Sequence, residues 1–242
     1  MMKNYTDRVT VKIFFMLLVS LIGVPAFFYY DNPIWLAVLF TFYGLVTNAL
    51  SQIAYHRWIC HTQFEPNFIA RYLMIYSVVI SGLGNPVQYV YSHLVHHKNS
   101  DKPGDPHNPK EIGWSGMLLG KYKTPDDYVS IRPVLQKKDV YFVSNHYWKF
   151  YILFTCIHAV ISPWLVVWQA FNFTHAWFGM AWLNTVSHSS GAPTQTKGFT
   201  NLWMMGEGNH HIHHKNARLL DMSGDDQTDW AGRYVIPGLL AK

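Results

Sequence analysis

Two long stretches of the sequence carry almost no charge, and they constrain the fold more than any other feature. Between Ile13 and His56 the only charged side chain is Asp31, and between Tyr151 and Thr196 there is none. Each stretch is roughly 45 residues long, which is enough for two helical crossings of a bilayer whose apolar core is about 30 Å thick. Because lipid offers the backbone no hydrogen-bond partners, the crossings are expected to be α-helices.

Breaks inside these stretches predict an all-α integral membrane fold with four transmembrane helices. Asp31-Asn32-Pro33 interrupts the first stretch, and Asn172-Phe173-Thr174-His175 is the expected turn in the second. The predicted spans lie near residues 12–30, 34–55, 150–170 and 174–192. The remaining chain, residues 56–149 and 193–242, is expected to form one helical cap, so that residues 1–242 make a single domain.

The distribution of Lys and Arg predicts the orientation. All nineteen lie before Ile13, between residues 57 and 149, or from Lys197 onward, and the two predicted turns have none. Such segments stay on the cytoplasmic side, so both termini and the cap are expected there, in a bacterial inner membrane or the endoplasmic reticulum. A cleaved signal peptide is the alternative for the first span. The net charge of +5 then attracts membrane lipid head groups, and no nucleic-acid partner is expected.

Three groups of histidines with the spacing of metal ligands stand out among the fourteen in the chain. They are His56 and His61; His93, His96 and His97; and His210, His213 and His214. In each triplet the side chains at i, i+3 and i+4 share one face of a helix and can converge on one or two ions. The first pair lies about 140° apart on a straight α-helix, so it converges only if the helix ends or distorts there.

A ninth histidine, His188, follows Asn184 by four residues at the predicted cytoplasmic end of the fourth span. Nine imidazoles exceed the roughly four to six ligands of one ion, which predicts two ions, with Asn184 as a further ligand either directly or through water. His211 lies about 100° away from the face of its neighbours and is expected to face solvent or to lie behind the ligands. We interpret Cys60 as incidental to metal binding.

These residues also resemble a known family. His56-Arg57-Trp58-Ile59-Cys60-His61, His93-Leu94-Val95-His96-His97 and Gly206-Glu207-Gly208-Asn209-His210-His211-Ile212-His213-His214 resemble the three histidine boxes of membrane fatty acid desaturases. The stearoyl-CoA, or Δ9, branch is the most similar, because Asn184 with His188 and Asp105-Pro106-His107 also match its pattern. The resemblance covers roughly residues 40–215. His211 is an extra histidine in the third box, and the tail from Leu219 to Lys242 has no counterpart.

This resemblance implies an O2-dependent fatty acyl desaturase that introduces a cis double bond, at Δ9, into a saturated acyl chain. It implies a non-haem di-iron centre, reducing equivalents from a separate electron donor of the ferredoxin or cytochrome b5 type, and no catalytic residue beyond the metal ligands. Tyr43 and Gly44, about three turns before the first box, would close the substrate tunnel. Asp105 and Glu207 are expected to hold ligand rings from behind; the alternative for both is a salt bridge or turn in the cap.

The identity of the metal follows from the implied chemistry. Imidazole suits iron, zinc, copper and nickel, so the spacing alone does not choose among them. Oxidation with O2 selects iron over zinc, which has no redox step. A hydroxylase or ketolase with the same boxes is the first alternative function. A zinc-dependent membrane hydrolase or a metal transporter is an alternative of another class, although a transporter would place its ligands near the bilayer midplane.

Overall fold

The computed structural model describes residues 3–123 and 129–241, and the regular structure within these ranges is helical. The helices are α1 (Lys3–Tyr29), α2 (Ile34–Gln52), α3 (Phe68–Ile80), α4 (Pro86–Asn99), α5 (Pro109–Leu118), α6 (Arg132–Leu135), α7 (Lys138–Asn145), α8 (Tyr147–Ile161), α9 (Pro163–Val186), α10 (Phe199–Trp203), α11 (His210–Lys215) and α12 (Ile236–Leu239). Two π-helical segments, Ile53–Cys60 and Ala231–Val235, continue α2 and precede α12, and a 3-10 turn, Glu207–Asn209, precedes α11.

The first two helices are long and apolar enough to cross a membrane, over Val9–Tyr29 and Ile34–Cys60. Their outer faces carry exposed apolar side chains, among them Leu21 and Val38, as expected of a surface that meets lipid. The predicted turn between them is confirmed, because Asp31 has a φ of 53° and α2 begins directly after Pro33.

The predicted turn at Asn172–His175 is wrong. These residues lie inside α9, which runs without interruption from Pro163 to Val186. The break is at Ser162, which is extended, and Pro163 then starts α9 because proline has no amide hydrogen with which to continue α8.

Polar side chains misled the prediction because they serve contacts between helices. Asn172 packs directly against Gly44 of α2, where an added Cβ would lie 1.7 Å from Asn172 Nδ2. His175 accepts a hydrogen bond of 2.8 Å from Trp203 Nε1. The predicted spans 150–170 and 174–192 are therefore replaced by α8 and α9. That α8 and α9 cross the membrane stays a prediction, and α8 has only 15 residues.

Helix α9 is the centre of the bundle and contacts α1, α2, α5 and α8. Near the end opposite the histidines, Phe27 of α1 packs edge-on against Trp164 and Trp168 of α9. This apolar contact joins the two hairpins, α1–α2 and α8–α9.

Helix α3 lies within residues 56–149, which were expected to belong to the cap. It packs along α2 and α8, beside the bundle, and one face exposes Phe68, Ile69, Tyr72 and Leu73. A second apolar core lies under the π-helical end of α2 and includes Tyr55, Trp58 and Ile59. Around that core α4, α6, α7 and the segment before α12 gather, and they position the histidines.

Candidate metal centre

The end of α2 brings the first histidine pair together. Over Ile53–Cys60 the backbone is π-helical, and the amide of His61 donates to the carbonyl of His56 over 3.1 Å. That i to i+5 bond places the second residue almost above the first, which an α-helix does not do. The two rings lie 5.0 Å apart between centroids. The predicted distortion of the helix between these histidines is confirmed.

The nine predicted histidines form two groups. The five-histidine group consists of His56, His61, His93, His97 and His213, and the four-histidine group consists of His96, His188, His210 and His214. Within each group one nitrogen of every ring lies within 4.8 Å of the others. The structure thus divides the second and third boxes between the groups.

Distances in the five-histidine group fit a shared ion. His213 Nε2 lies 2.9 Å from the Nε2 atoms of both His56 and His97. His93 Nε2 lies 3.0 Å from His61 Nε2 and 3.1 Å from His97 Nε2. Nitrogens bound at right angles, each about 2.1 Å from an ion, are about 3.0 Å apart, whereas tetrahedral ligands are about 3.4 Å apart. The spacing is therefore short enough for these nitrogens to share one ion.

The four-histidine group repeats this spacing. His210 Nε2 lies 2.9 Å from His188 Nε2 and 3.1 Å from His214 Nε2. His96 Nε2 is buried and has no hydrogen-bond partner among the described residues, as expected of a lone pair reserved for an ion. Asn184 is half-buried on α9, one turn before His188. It therefore stays the candidate for a fifth ligand of this group.

Carboxylates lie behind two of the predicted ligands. Asp105 Oδ1 lies 2.9 Å from His96 Nδ1, and Glu207 Oε2 lies 3.1 Å from His56 Nδ1. Because a carboxylate accepts, Nδ1 of His96 carries the hydrogen and its Nε2 keeps its lone pair. The contact of Glu207 with His56 is at ion-pair distance, and Glu207 Oε2 makes no hydrogen bond among the described residues. Burial acts to raise the pKa of Glu207, but Arg57 and His56 outweigh it and hold that pKa below its usual value.

Asp105 combines both roles considered from the sequence. Besides His96, it accepts hydrogen bonds from the backbone amides of Asp101 and His107 at 2.9 and 2.8 Å, so it also shapes the loop after α4. Burial and then the neighbouring His96 lower the pKa of His107 to about 3. His107 Nε2 faces Ser92 Oγ at 3.2 Å.

Asp101 was missed by the sequence analysis. Its Oδ2 lies 2.7 Å from Nδ1 of His188, a third carboxylate behind a ligand. The two residues are 87 positions apart, and the φ of 59° at Asp101 turns the loop toward α9. The available sequence signal was its position, because Asp101, like Asp105, is an acidic residue shortly after the second histidine box.

Electrostatics favour the neutral form of six of the nine rings. Burial, followed by repulsion from neighbouring imidazoles, lowers the pKa of His61, His93, His97, His210 and His213 below the usual value for histidine. The same causes lower the pKa of His214 to about 3. Neutral imidazoles are the form that binds a metal ion.

The other predicted residues lie outside both groups. His211 lines a surface pocket with Gln195 and Asp226, in keeping with its position off the shared face. Cys60 is buried in the apolar core. Tyr43 donates to or accepts from Tyr76, its hydroxyl lies 3.0 Å from His158 Nε2, and it lines a small cavity.

At the same level Gly44 allows α2 and α9 to touch, because Asn172 occupies the position that a side chain would need. Nothing larger than a hydrogen fits at Gly44 without moving that helix contact. The role of Tyr43 and Gly44 in closing a substrate tunnel stays a prediction.

Comparisons with known proteins agree with the histidine pattern, although the chain matches no family model. It is 32% identical to the Δ9 acyl-lipid desaturase 2 of Arabidopsis thaliana over 103 residues, which are 43% of this chain and 33% of that protein. It is 27% identical to the sn-1 stearoyl-lipid 9-desaturase of Anabaena variabilis over 209 residues, 80% of this chain and 76% of the relative.

A third relative is the acyl-CoA C20 Δ5-desaturase of Anemone leveillei, 27% identical over 73% of this chain and 62% of its own length. The aligned part of the Arabidopsis protein is thus only a third of its length, while the Anabaena alignment spans most of both chains. The chain is therefore similar to fatty acid desaturases, Δ9 desaturases among them.

Proposed function

We propose that this protein is a membrane-bound oxidoreductase that desaturates a fatty acyl chain with the help of two iron ions. The observation that carries the proposal is the pair of histidine groups, with nitrogen spacings of 2.9–3.1 Å and carboxylates behind three of the rings. The similarity to desaturases supports the same reading from the sequence side.

One ion would be held by the five-histidine group and the other by the four-histidine group, with Asn184 as an added ligand of the second, directly or through water. Glu207, Asp105 and Asp101 would keep the Nδ1 hydrogens of His56, His96 and His188 in place. When bound, an iron pair supplies the oxidising power toward an unactivated methylene that no side chain has.

The remaining tasks belong to the chain itself. The apolar helices would provide a place where an acyl chain can lie extended with its reacting carbons held in one position. The overall reaction converts a –CH2–CH2– unit, O2, two electrons and two protons into –CH=CH– and two molecules of water. The two electrons would come from a separate donor of the ferredoxin or cytochrome b5 type.

Location and product are part of the proposal. The two apolar helices α1 and α2 and the distribution of Lys and Arg support a multi-pass protein of a bacterial inner membrane or the endoplasmic reticulum, with both termini and the histidines on the cytoplasmic side. The Δ9 position is favoured because two of the relatives named above carry it in their names.

Expression in a host that lacks this activity tests the proposal. Fatty acid methyl esters analysed by gas chromatography should contain new cis monoenes with the wild type and none with His97→Ala. The purified wild type should contain two irons per chain. New hydroxy acids would favour the hydroxylase or ketolase alternative, and a zinc-loaded protein without an oxygen-dependent product would contradict the proposal.

A further inference from the structure

The tail from Leu219 onward, which matched no part of the resemblance, is anchored next to the metal centre. Its residue Asp229 is fully buried, with no exposed surface, and so is Arg57 in the first histidine box. Burial of a carboxylate or a guanidinium costs several kcal/mol of hydration free energy, and a charged partner is needed to offset that cost. The tail is therefore held by specific polar contacts rather than lying loosely on the surface.

Arg57 bridges two carboxylates from different parts of the chain. Its Nη1 and Nη2 donate to Asp229 Oδ2 and Oδ1 over 2.8 and 2.9 Å, a two-pronged contact. Its Nε donates to Glu207 Oε1 over 2.8 Å, and Nη1 also reaches the carbonyl of Leu220 at 3.1 Å. Such two-pronged pairs fix orientation as well as charge.

Asp229 is itself fixed by the backbone. It accepts from the amides of Met222 and Gly232 at 2.9 and 2.8 Å. A Cβ at Gly206 would lie 2.5 Å from Asp229 Oδ1, so glycine at this position lets the carboxylate reach the turn that carries Glu207. These two amide bonds and the two bonds from Arg57 place Asp229 between the tail and the third histidine box.

Through Glu207 this network reaches a ligand. One oxygen of Glu207 is held by Arg57 and the other lies 3.1 Å from His56 Nδ1. Without the charge of Asp229, Glu207 would be the only anionic partner of the guanidinium among the described residues, and the guanidinium would draw it away from His56. Asp229 balances that pull and leaves one oxygen of Glu207 for the imidazole.

We propose that Asp229 is a positioning residue for the five-histidine site, acting through Arg57 and Glu207 on His56. The inference rests on the proposed metal centre. It predicts that a change at Asp229 weakens metal binding by the five-histidine group alone. The four-histidine group is backed instead by Asp101 and Asp105 of the loop after α4.

Cobalt titration of the purified full-length protein in detergent tests this. Metal-free wild type should bind two Co²⁺ ions, followed by visible absorption. Asp229→Asn should weaken one of the two sites by about 10- to 100-fold and leave the other unchanged. The matched control is Asp225→Asn in the same tail, whose side chain is exposed, and this variant should bind both ions as the wild type does.

Combination with ligand variants identifies the affected site. In a His214→Ala background, which disables the four-histidine group, Asp229→Asn should still weaken binding, and in a His97→Ala background it should change nothing further. Equal weakening of both sites, or wild-type binding by Asp229→Asn, would overturn the inference.

A second variant covers the case in which Asp229→Asn does not fold. Arg57→Lys keeps the charge but loses the fork that joins two carboxylates, and it should show the same selective loss; full affinity in it would overturn the inference. A wild type without two Co²⁺ sites would overturn both this inference and the metal centre. Selective loss together with the absence of any desaturated product would leave the inference standing and remove the proposed function.

Discussion

The two histidine groups present the same ring nitrogen, Nε2, but are supported in different ways. Behind the four-histidine group, Asp101 and Asp105 lie in one short loop and are linked to each other, since Asp105 accepts from the amide of Asp101. Behind the five-histidine group, Glu207 is held by Arg57 of the π-helical segment Ile53–Cys60 and, through it, by Asp229 of the tail. One site thus depends on a local loop, and the other on the docking of segments that are distant in sequence.

Removal of a ligand should have the largest effect and should separate the groups. His213→Ala should empty the five-histidine group and His210→Ala the four-histidine group, and each should remove most of the desaturated product. Metal content per chain and fatty acid methyl esters are the measurements. His211→Ala is the matched control, since its ring belongs to neither group, and it should keep substantial activity. A loss with His211→Ala as great as with His210→Ala would contradict the division.

Changes behind the four-histidine group should have the next largest effect. Asp101→Asn and Asp105→Asn should each weaken the ion in that group by about 10- to 100-fold, because the Nδ1 hydrogen of a ligand loses its acceptor. Asp105→Asn should be the more damaging, since Asp105 also holds the loop amides. The exposed Asp225→Asn serves as the control in the same cobalt titration. Equal loss from the five-histidine group would show that the two supports are not independent.

Acidification should destabilise the metal-free protein through both groups. Unfolded histidines take up protons near pH 6.5, whereas the folded rings resist protonation, with the pKa of His214 lowered to about 3. The unfolded state therefore binds more protons below about pH 6.5, and stability falls as the pH is lowered through that window. The melting temperature of the metal-free protein should drop between pH 7.5 and 5, less steeply in His210→Ala or His213→Ala. A melting temperature that does not change over this range would contradict the neutral, buried rings.

A surface ion pair away from both groups should give the smallest effect. Arg71 contacts Asp139 through two nitrogens, at 2.5 and 2.7 Å, and the carboxylate is partly exposed. Asp139→Asn should cost about 0.5–1 kcal/mol and lower the melting temperature slightly. Cobalt binding by both groups should stay as in the wild type. Weaker cobalt binding by only one group would mean that the contacts supporting that group extend beyond those around Arg57 and Asp105.

Local patterns in the sequence were sufficient for the clustering of the histidines and for the first hairpin. The i, i+3, i+4 spacing predicted which faces of α4 and α11 carry the rings, and the Asp31-Asn32-Pro33 break predicted where α1 ends. For His56 and His61 the sequence predicted that the rings meet only if the helix ends or is distorted between them. The π-helix over Ile53–Cys60 is such a distortion.

Contacts between distant residues could not be predicted. Asn172 and His175 looked like turn residues because their partners, Gly44 and Trp203, lie far away in the sequence. Asp101 and Asp229 act on residues 87 and 172 positions away, and no spacing rule reports such pairs. The division of the nine rings into five and four is of the same kind, since it depends on how α4, α9 and α11 pack.

Anomalous X-ray scattering from crystals of the iron-loaded protein, recorded on both sides of the iron absorption edge, tests the central claim most directly. The account predicts two iron peaks per chain, one enclosed by His56, His61, His93, His97 and His213 and the other by His96, His188, His210 and His214. A single peak shared by both groups, or peaks that appear only at the zinc edge in protein purified without added metal, would contradict it.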